Sequence, residues 1–132
     1  MIVFDQKEKI GDWVGEKIGN ELPWHDYEAI GIIQDGEIIG GAVINGYTQG
    51  MCSIHCAGVG HWLSFDFLTS IFNYAFNQLG CNAVVNIVDA MNTKSVRFTK
   101  HLGFTEVHRI RGGCGESDGI ILELLKKDCR YI

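Results

Sequence analysis

The sequence predicts an α/β fold of the α+β kind: a mixed, mostly antiparallel sheet with helices on both faces. Three observations carry that reading. The elements run helix, strand, strand, then strand and helix twice, then two closing strands. Asp35-Gly36 joins two apolar runs as a hairpin, the strongest short-range hairpin signal in the chain. The middle of the chain alternates strands with helices, which requires crossover connections. At 132 residues the length suits one domain, 1–132, and neither an internal repeat nor a linker divides it.

Asp5 followed by Glu8 has the spacing of a capping box, and Ile10, Trp13, Val14 and Ile18 recur at three to four residues, so an amphipathic helix is expected over 5–19. The acidic connector NELPWHDYE holds the single proline, Pro23, and leads into AIGIIQ and EIIGGAVINGY, two antiparallel strands flanking Asp35-Gly36. A third strand, MCSIHCAG at 51–58, runs into a glycine loop and then Ser64, an N-cap for a helix that reaches Leu79 and stops at Gly80. Leu68, Ile71, Phe72, Ala75 and Leu79 give that helix an apolar stripe, and Phe65, Phe67, Tyr74 and Phe76 widen it until burial between layers is expected. CNAVVNIVD reads as a largely buried strand, and Asn92 caps a shorter helix through Val96, Phe98 and Leu102 that ends at Gly103. Phe104 to Arg111 alternates apolar and polar residues, the Gly-rich GGCGESDG follows, and IILELL forms the last strand before a polar tail, KKDCRYI.

A formal charge of -5 disfavours a nucleic-acid binder that works by phosphate neutralisation. The charge is uneven: residues 1–50 hold three basic and nine acidic side chains, so the C-terminal half is the better place for an anion. No apolar run approaches the ~20 residues that span a bilayer, and MIVFDQKEKI has charges where a signal peptide needs an apolar stretch. A soluble, cytoplasmic protein without a membrane partner is expected. Five cysteines are an odd number in a chain able to build a core, which argues for reduced thiols.

Two segments can carry chemistry. In AGVGHWLS, Gly58 and Gly60 let the backbone turn and approach a ligand, and the N–H groups opening the next helix can hold phosphate oxygens; the cradle would comprise Gly58, Val59, Gly60, His61, Trp62, Leu63 and Ser64. A plain strand-to-helix turn needs the same glycines, so spacing alone leaves both readings open. No P-loop lysine follows, and the third glycine of the dinucleotide fingerprint is missing; a flavin or nucleotide domain would rest on this loop alone. In NTKSVRFTKHLGF, Asn92 and Ser95 open a helix, Phe98 lies one turn on, and Lys94, Arg97 and Lys100 give it a positive surface. Asn92 as a cap, Phe98 as core and the cations as a solvated face is the bland alternative. Cys52, His55 and Cys56 suggest a metal, but along a strand the cysteines share one face and His55 takes the other, and no second ligand pair appears. No metal is expected. Cys56 or Cys114 as a nucleophile has no local signature.

Taken together, these segments resemble the Gcn5-related N-acetyltransferase (GNAT) superfamily over about residues 1–125. The best match is Asn92 to Phe104, where the family has Asn, a small residue three later, and Gly-Phe eleven and twelve later: Asn92, Ser95, Gly103 and Phe104. TEVHRIRG and DGIILEL look like the family's closing strands. FDFLTSIFNYAFNQLGCNAVVNIV is similar to its central helix and following strand, especially in short members that acetylate protein or peptide amines, such as N-terminal acetyltransferases, and in phage-encoded relatives. The resemblance implies an acyl-CoA N-acyltransferase-like fold, acetyl-CoA as cosubstrate, and a primary amine of a small molecule, peptide or protein as acceptor, in the cytoplasm of the host cell if phage-encoded. Two positions depart from the pattern. The loop lacks the family's leading Gln or Arg, and Thr99 stands where many members have a tyrosine that protonates the departing thiolate.

By that resemblance the pyrophosphate lies on the amides of about 58–64, Asn92, Ser95 and Phe98 line the pantetheine channel, and the arm runs between strands 51–58 and 82–88. Transfer then needs a neutral amine, a proton route and donors for the developing oxyanion. His55, on the strand that ends at the cradle, is the first proton acceptor to test, with His61 and His108 as rivals; Ser95 or Thr99 could bond the thioester sulfur or a water. A catalytically inactive scaffold that binds a protein partner is the alternative. Glu21, Asp26 and Glu28 around the connector could attract a cationic acceptor or form a solvated loop, and an exposed part of the aromatic run could serve a homodimer.

Overall fold

The computed structural model describes residues 1–20 and 22–132. In chain order they form β1 (Ile2–Val3), α1 (Lys7–Ile18), β2 (Glu28–Gln34), β3 (Glu37–Thr48), β4 (Met51–Gly58), α2 (Phe65–Asn73), β5 (Ala83–Asp89), α3 (Thr93–His101), β6 (Thr105–Cys114) and β7 (Ser117–Leu125). The strands make one seven-stranded sheet in the order β1-β2-β3-β4-β5-β7-β6. Every neighbouring pair is antiparallel except β4 and β5. This is the mixed, mostly antiparallel sheet expected, with α1 on one face and α2 and α3 on the other.

The two faces are built differently. Under α1, Ile10 and Val14 meet Val43 and Ala29, and the helix lies close because the cross-strand pair Gly31 and Gly41 has no Cβ to strike Ile10 and Val14. On the other face Phe67, Phe72 and Phe76 are fully buried against Ile54, Val84, Leu122 and Leu124. Each fully buried phenylalanine contributes about 2–3 kcal/mol by transfer. The hairpin turns where Asp35-Gly36 marks it, with φ of 52° and 79° at the two turn residues, as a type I′ turn requires.

Several expectations need correction. The first helix begins at Lys7, not Asp5; Gln6 precedes it without a side-chain cap, so the capping box does not form. The central helix is not sandwiched between layers: Phe65, Asp66 and Asn73 are exposed, and it loosens into a π-helical turn at Tyr74–Gln78 before Gly80. The glycine-rich stretch, unassigned from the sequence, is mostly strand: β6 continues through Gly112 and Gly113 to Cys114 and only residues 115–116 turn. The polar tail joins the core. Tyr131 stacks on Phe72 at 5.4 Å and 12°, and Arg130 Nη2 donates to the His101 carbonyl at 2.6 Å, tying the chain end to α3.

Candidate functional site

The site begins where the parallel pair stops pairing. Strands β4 and β5 share only Met51↔Ala83 and Cys52↔Val84. Beyond these, side chains take over. Ser53 Oγ donates to the Val85 carbonyl at 2.6 Å; Asn86 Nδ2 donates to the Ile54 carbonyl at 2.6 Å, while its Oδ1 accepts from Ile54 N–H at 3.1 Å. Past this clasp the strands are unpaired, and a cavity of about 260 Å³ opens between them. Main-chain groups of alternate strand residues point the same way, so with Ile54 turned toward β5, the N–H and C=O of Cys56 also face the slit.

Period two sorts the lining by face. Cys52, Ile54, Val84 and Val88 belong to the core under α2 and α3. His55 therefore projects to the α1 side. There its Nε2 lies 3.1 Å from Asn45 Oδ1, and its ring is 5.1 Å from that of Trp24, which donates Nε1–H to the Gly11 carbonyl at 2.8 Å. Facing a carbonyl oxygen, Nε2 carries the hydrogen and leaves Nδ1 its lone pair. Burial lowers the pKa of His55, so the imidazole is neutral at pH 7. On the other side of the slit stand Asn92, Ser95, Phe98 and Thr99, positioned by α3.

The α3 residues divide by role. Asn92 Oδ1 caps the helix by accepting from Ser95 N–H at 3.2 Å, which leaves its Nδ2 to donate elsewhere. Thr99 is buried and its hydroxyl donates to the Ser95 carbonyl at 2.8 Å. That hydrogen is thereby committed within the helix. Cys56 borders the slit too, but burial pushes its thiol up to about 12, so it supplies no thiolate near neutrality.

The glycine loop differs from a simple cradle. Gly58 and Gly40, paired across β3 and β4, accommodate the indole of Trp62, which also lies 6.1 Å from the rings of Phe67 and Phe98. The Val59 N–H is taken by the Ile39 carbonyl at 2.8 Å and that of Phe67 by Ser64 Oγ at 3.1 Å. Anion donors must therefore come from residues 60–66, where Gly60 (φ 62°), His61, Leu63 and Ser64 are exposed and Asp66 opposes an anion at the helix start.

His61 and His108 do not line the slit. No group of three His, Cys, Asp or Glu able to hold a metal occurs among the described residues. No helix is long and apolar enough to cross a membrane among them. Of the acidic connector, Glu21 lies outside the described residues, and Asp26 and Glu28 are exposed. Sequence reasoning missed Asn86, Asp89, Asn45 and Trp24. Asn86 alone left a signal, as the one amide within AVVNIVD.

No protein-family model and no curated protein sequence matches the chain. Solved structures do. Spermidine N-acetyltransferase SpeG from Vibrio cholerae, as a point variant, is similar at TM-score 0.72 and 12% identity, covering 100% of this chain and 95% of that one. Campylobacter jejuni N-acetyltransferase PseH, in complex with acetyl coenzyme A, is similar at 0.59 and 18%, covering 84% and 74%. A GNAT-family acetyltransferase from Bacillus anthracis is similar at 0.63 and 13%, covering 88% and 72%. The fold is the GNAT acyl-CoA N-acyltransferase fold.

Proposed function

We propose that residues 1–132 form one acyl-CoA N-acyltransferase-like unit that moves an acetyl group from acetyl-CoA to a primary amine. The observation that carries this reading is the slit, an unpaired stretch of β4 whose Cys56 N–H and C=O face Asn92, Ser95 and Phe98 across a cavity. The residues suit the group. A pantetheine arm carries amides, and an unpaired strand edge bonds amides; Asn92 Nδ2 adds a donor, and the amides of residues 60–66 at the start of α2 suit a pyrophosphate. When bound, acetyl-CoA supplies an activated acyl carbon and a thiolate leaving group.

The chain's own residues divide the remaining work. His55 Nδ1, neutral at pH 7, takes the proton from an amine approaching on the α1 side, and Asn45 holds the ring in the required tautomer. The Cys56 N–H donates to oxygen charge developing at the acyl carbonyl. Ser95, half-buried at the slit, bonds the sulfur or a water. A neutral hydroxyl is a poor acid, so solvent protonates the leaving thiolate.

Calorimetry with acetyl-CoA tests the reading. Binding should weaken at least ~10-fold in N92A and in G60V, the first losing hydrogen bonds and the second crowding the backbone where φ is positive. No binding of acetyl-CoA or CoA by the wild type refutes it. Binding without thiol release across a broad amine and peptide panel supports the partner-binding scaffold instead.

A further inference from the structure

The slit carries one fixed charge. Among the described residues lining it, Asp89 alone is permanently ionic; the rest are apolar or neutral polar, apart from the titratable His55 and Cys56. Val84 and Val88 point into the core, so Val85, Ile87 and Asp89 project to the α1 side, the face His55 also takes. Carrying the parallel register on from Cys52↔Val84 sets Asn86 level with Ile54, where its side chain is bonded. The same register sets His55 level with Ile87, and Asp89 two residues nearer the strand ends, about 7 Å along β5.

The carboxylate is held in place and half of it is free. Oδ1 accepts from Ser117 Oγ at 2.6 Å and from Met91 N–H at 2.9 Å, while Oδ2 has no protein partner among the described residues. The Ser117 hydroxyl first, and the Met91 amide second, keep its carboxyl below the usual carboxylate range. Among the described residues no Lys or Arg lines the slit.

We infer that Asp89 reads a second positive charge on the acceptor: the amine to be acylated lies at His55, and another cationic group of the same molecule pairs with Asp89 Oδ2. The inference rests on the acetyl-transfer reading above. Asp89 does not serve the reacting nitrogen itself, since a carboxylate there would hold it as ammonium and oppose loss of its proton. The acceptor class is therefore a dicationic amine whose two charges are joined by a short alkyl chain, because His55 and Asp89 stand on neighbouring strands two residues apart in level.

The test compares 1,4-diaminobutane with butylamine on wild type and D89N. Asparagine keeps an oxygen for Ser117 and Met91 and removes only the charge. In wild type, KM for the diamine should be about fivefold below that for butylamine, the upper range for a solvent-exposed ion pair, after a factor of two is discounted for its two equivalent nitrogens. This preference should fade with added salt and vanish in D89N. Equal KM values in wild type, or a preference surviving in D89N, overturn the inference. A separate arm uses the cofactor-free protein: the Met91 amide resonance should shift saturably with diamine in wild type and not in D89N. If neither amine is acetylated but that shift appears, Asp89 recognition stands and the transfer reading fails; no shift in wild type overturns Asp89.

Discussion

Replacing Gly58 by alanine should cost about 1–3 kcal/mol through a single contact. A Cβ there falls on Cγ, Cδ1 and Cδ2 of Trp62. The backbone cannot retreat, because Gly58 is paired with Gly40 and the next amide, Val59 N–H, is bonded to Ile39. The indole must therefore move, breaking its packing on Phe67 and Phe98. Gly58 does not have positive φ, so alanine meets no backbone penalty and the whole effect runs through the ring. At ~4 °C per kcal/mol for a chain of this size, the melting temperature should fall by about 4–12 °C. Urea and thermal melts of G58A, W62A and the double variant make a double-mutant cycle. In the W62A background, G58A should cost under ~0.5 kcal/mol. An equal cost in both backgrounds refutes the reasoning, because the glycine would then answer to something other than Trp62.

Five further outcomes follow from other contacts. If His55 is the proton acceptor, log kcat/KM should rise steeply with pH up to a break below 6.5 and more gently above it, where only the acceptor amine is still losing its proton, and H55A should lose that break. The folded state keeps this imidazole neutral while the unfolded chain protonates it, so its contribution to stability is complete above pH 6.5 and is lost as pH falls; urea midpoints between pH 7 and 5 should drop less for H55A than for wild type. Burial raises the thiols of Cys52 and Cys56 to about 12 and Cys114 is exposed, so titration of the native protein with a chromogenic disulfide at pH 8 should show one fast thiol, lost in C114S. Y131A, which removes the ring stacked on Phe72, should destabilise by about 3 kcal/mol in urea melts. N86L leaves the Ile54 N–H and C=O without a partner, which should cost about 2 kcal/mol and speed hydrogen exchange at Ile54 selectively.

What was legible in the sequence was what neighbouring residues decide. The Asp35-Gly36 turn, the Ser64 and Asn92 caps and the bounds of β4 are local, and each is found where the pattern sets it. The failures are long-range. Nothing near KKDCRYI announces that Tyr131 meets Phe72, some sixty residues away, and a polar count over that stretch reads as a tail. Nothing in GGCGESDG tells a loop from a bulged strand; β7 decides it by pairing Cys114 with Ser117. The candidate site divides the same way. His55, Asn92, Ser95, Phe98 and Thr99 were named from the sequence and line one cavity, but the state of each hydrogen depends on partners, as where the Thr99 hydroxyl donates to the Ser95 carbonyl.

The slit is a consequence of one polar side chain in an apolar strand. A parallel pair of β-branched strands joined by a crossover helix would normally zip along its length, closing strand to strand at about 4.8 Å. At Asn86 the side-chain amide stands in for a peptide group, donating to and accepting from Ile54 as a ladder partner would. An amide on a side chain reaches farther from its own backbone than a main-chain amide does, so the satisfied pair holds β4 and β5 apart. Ser53 reaching Val85 makes the same substitution one residue earlier. Beyond them neither strand can regain main-chain contact, and Cys56 is left with both polar groups facing open space. The clasp thus sets where the sheet stops being closed, and with it the depth at which a ligand meets His55 on one side and α3 on the other.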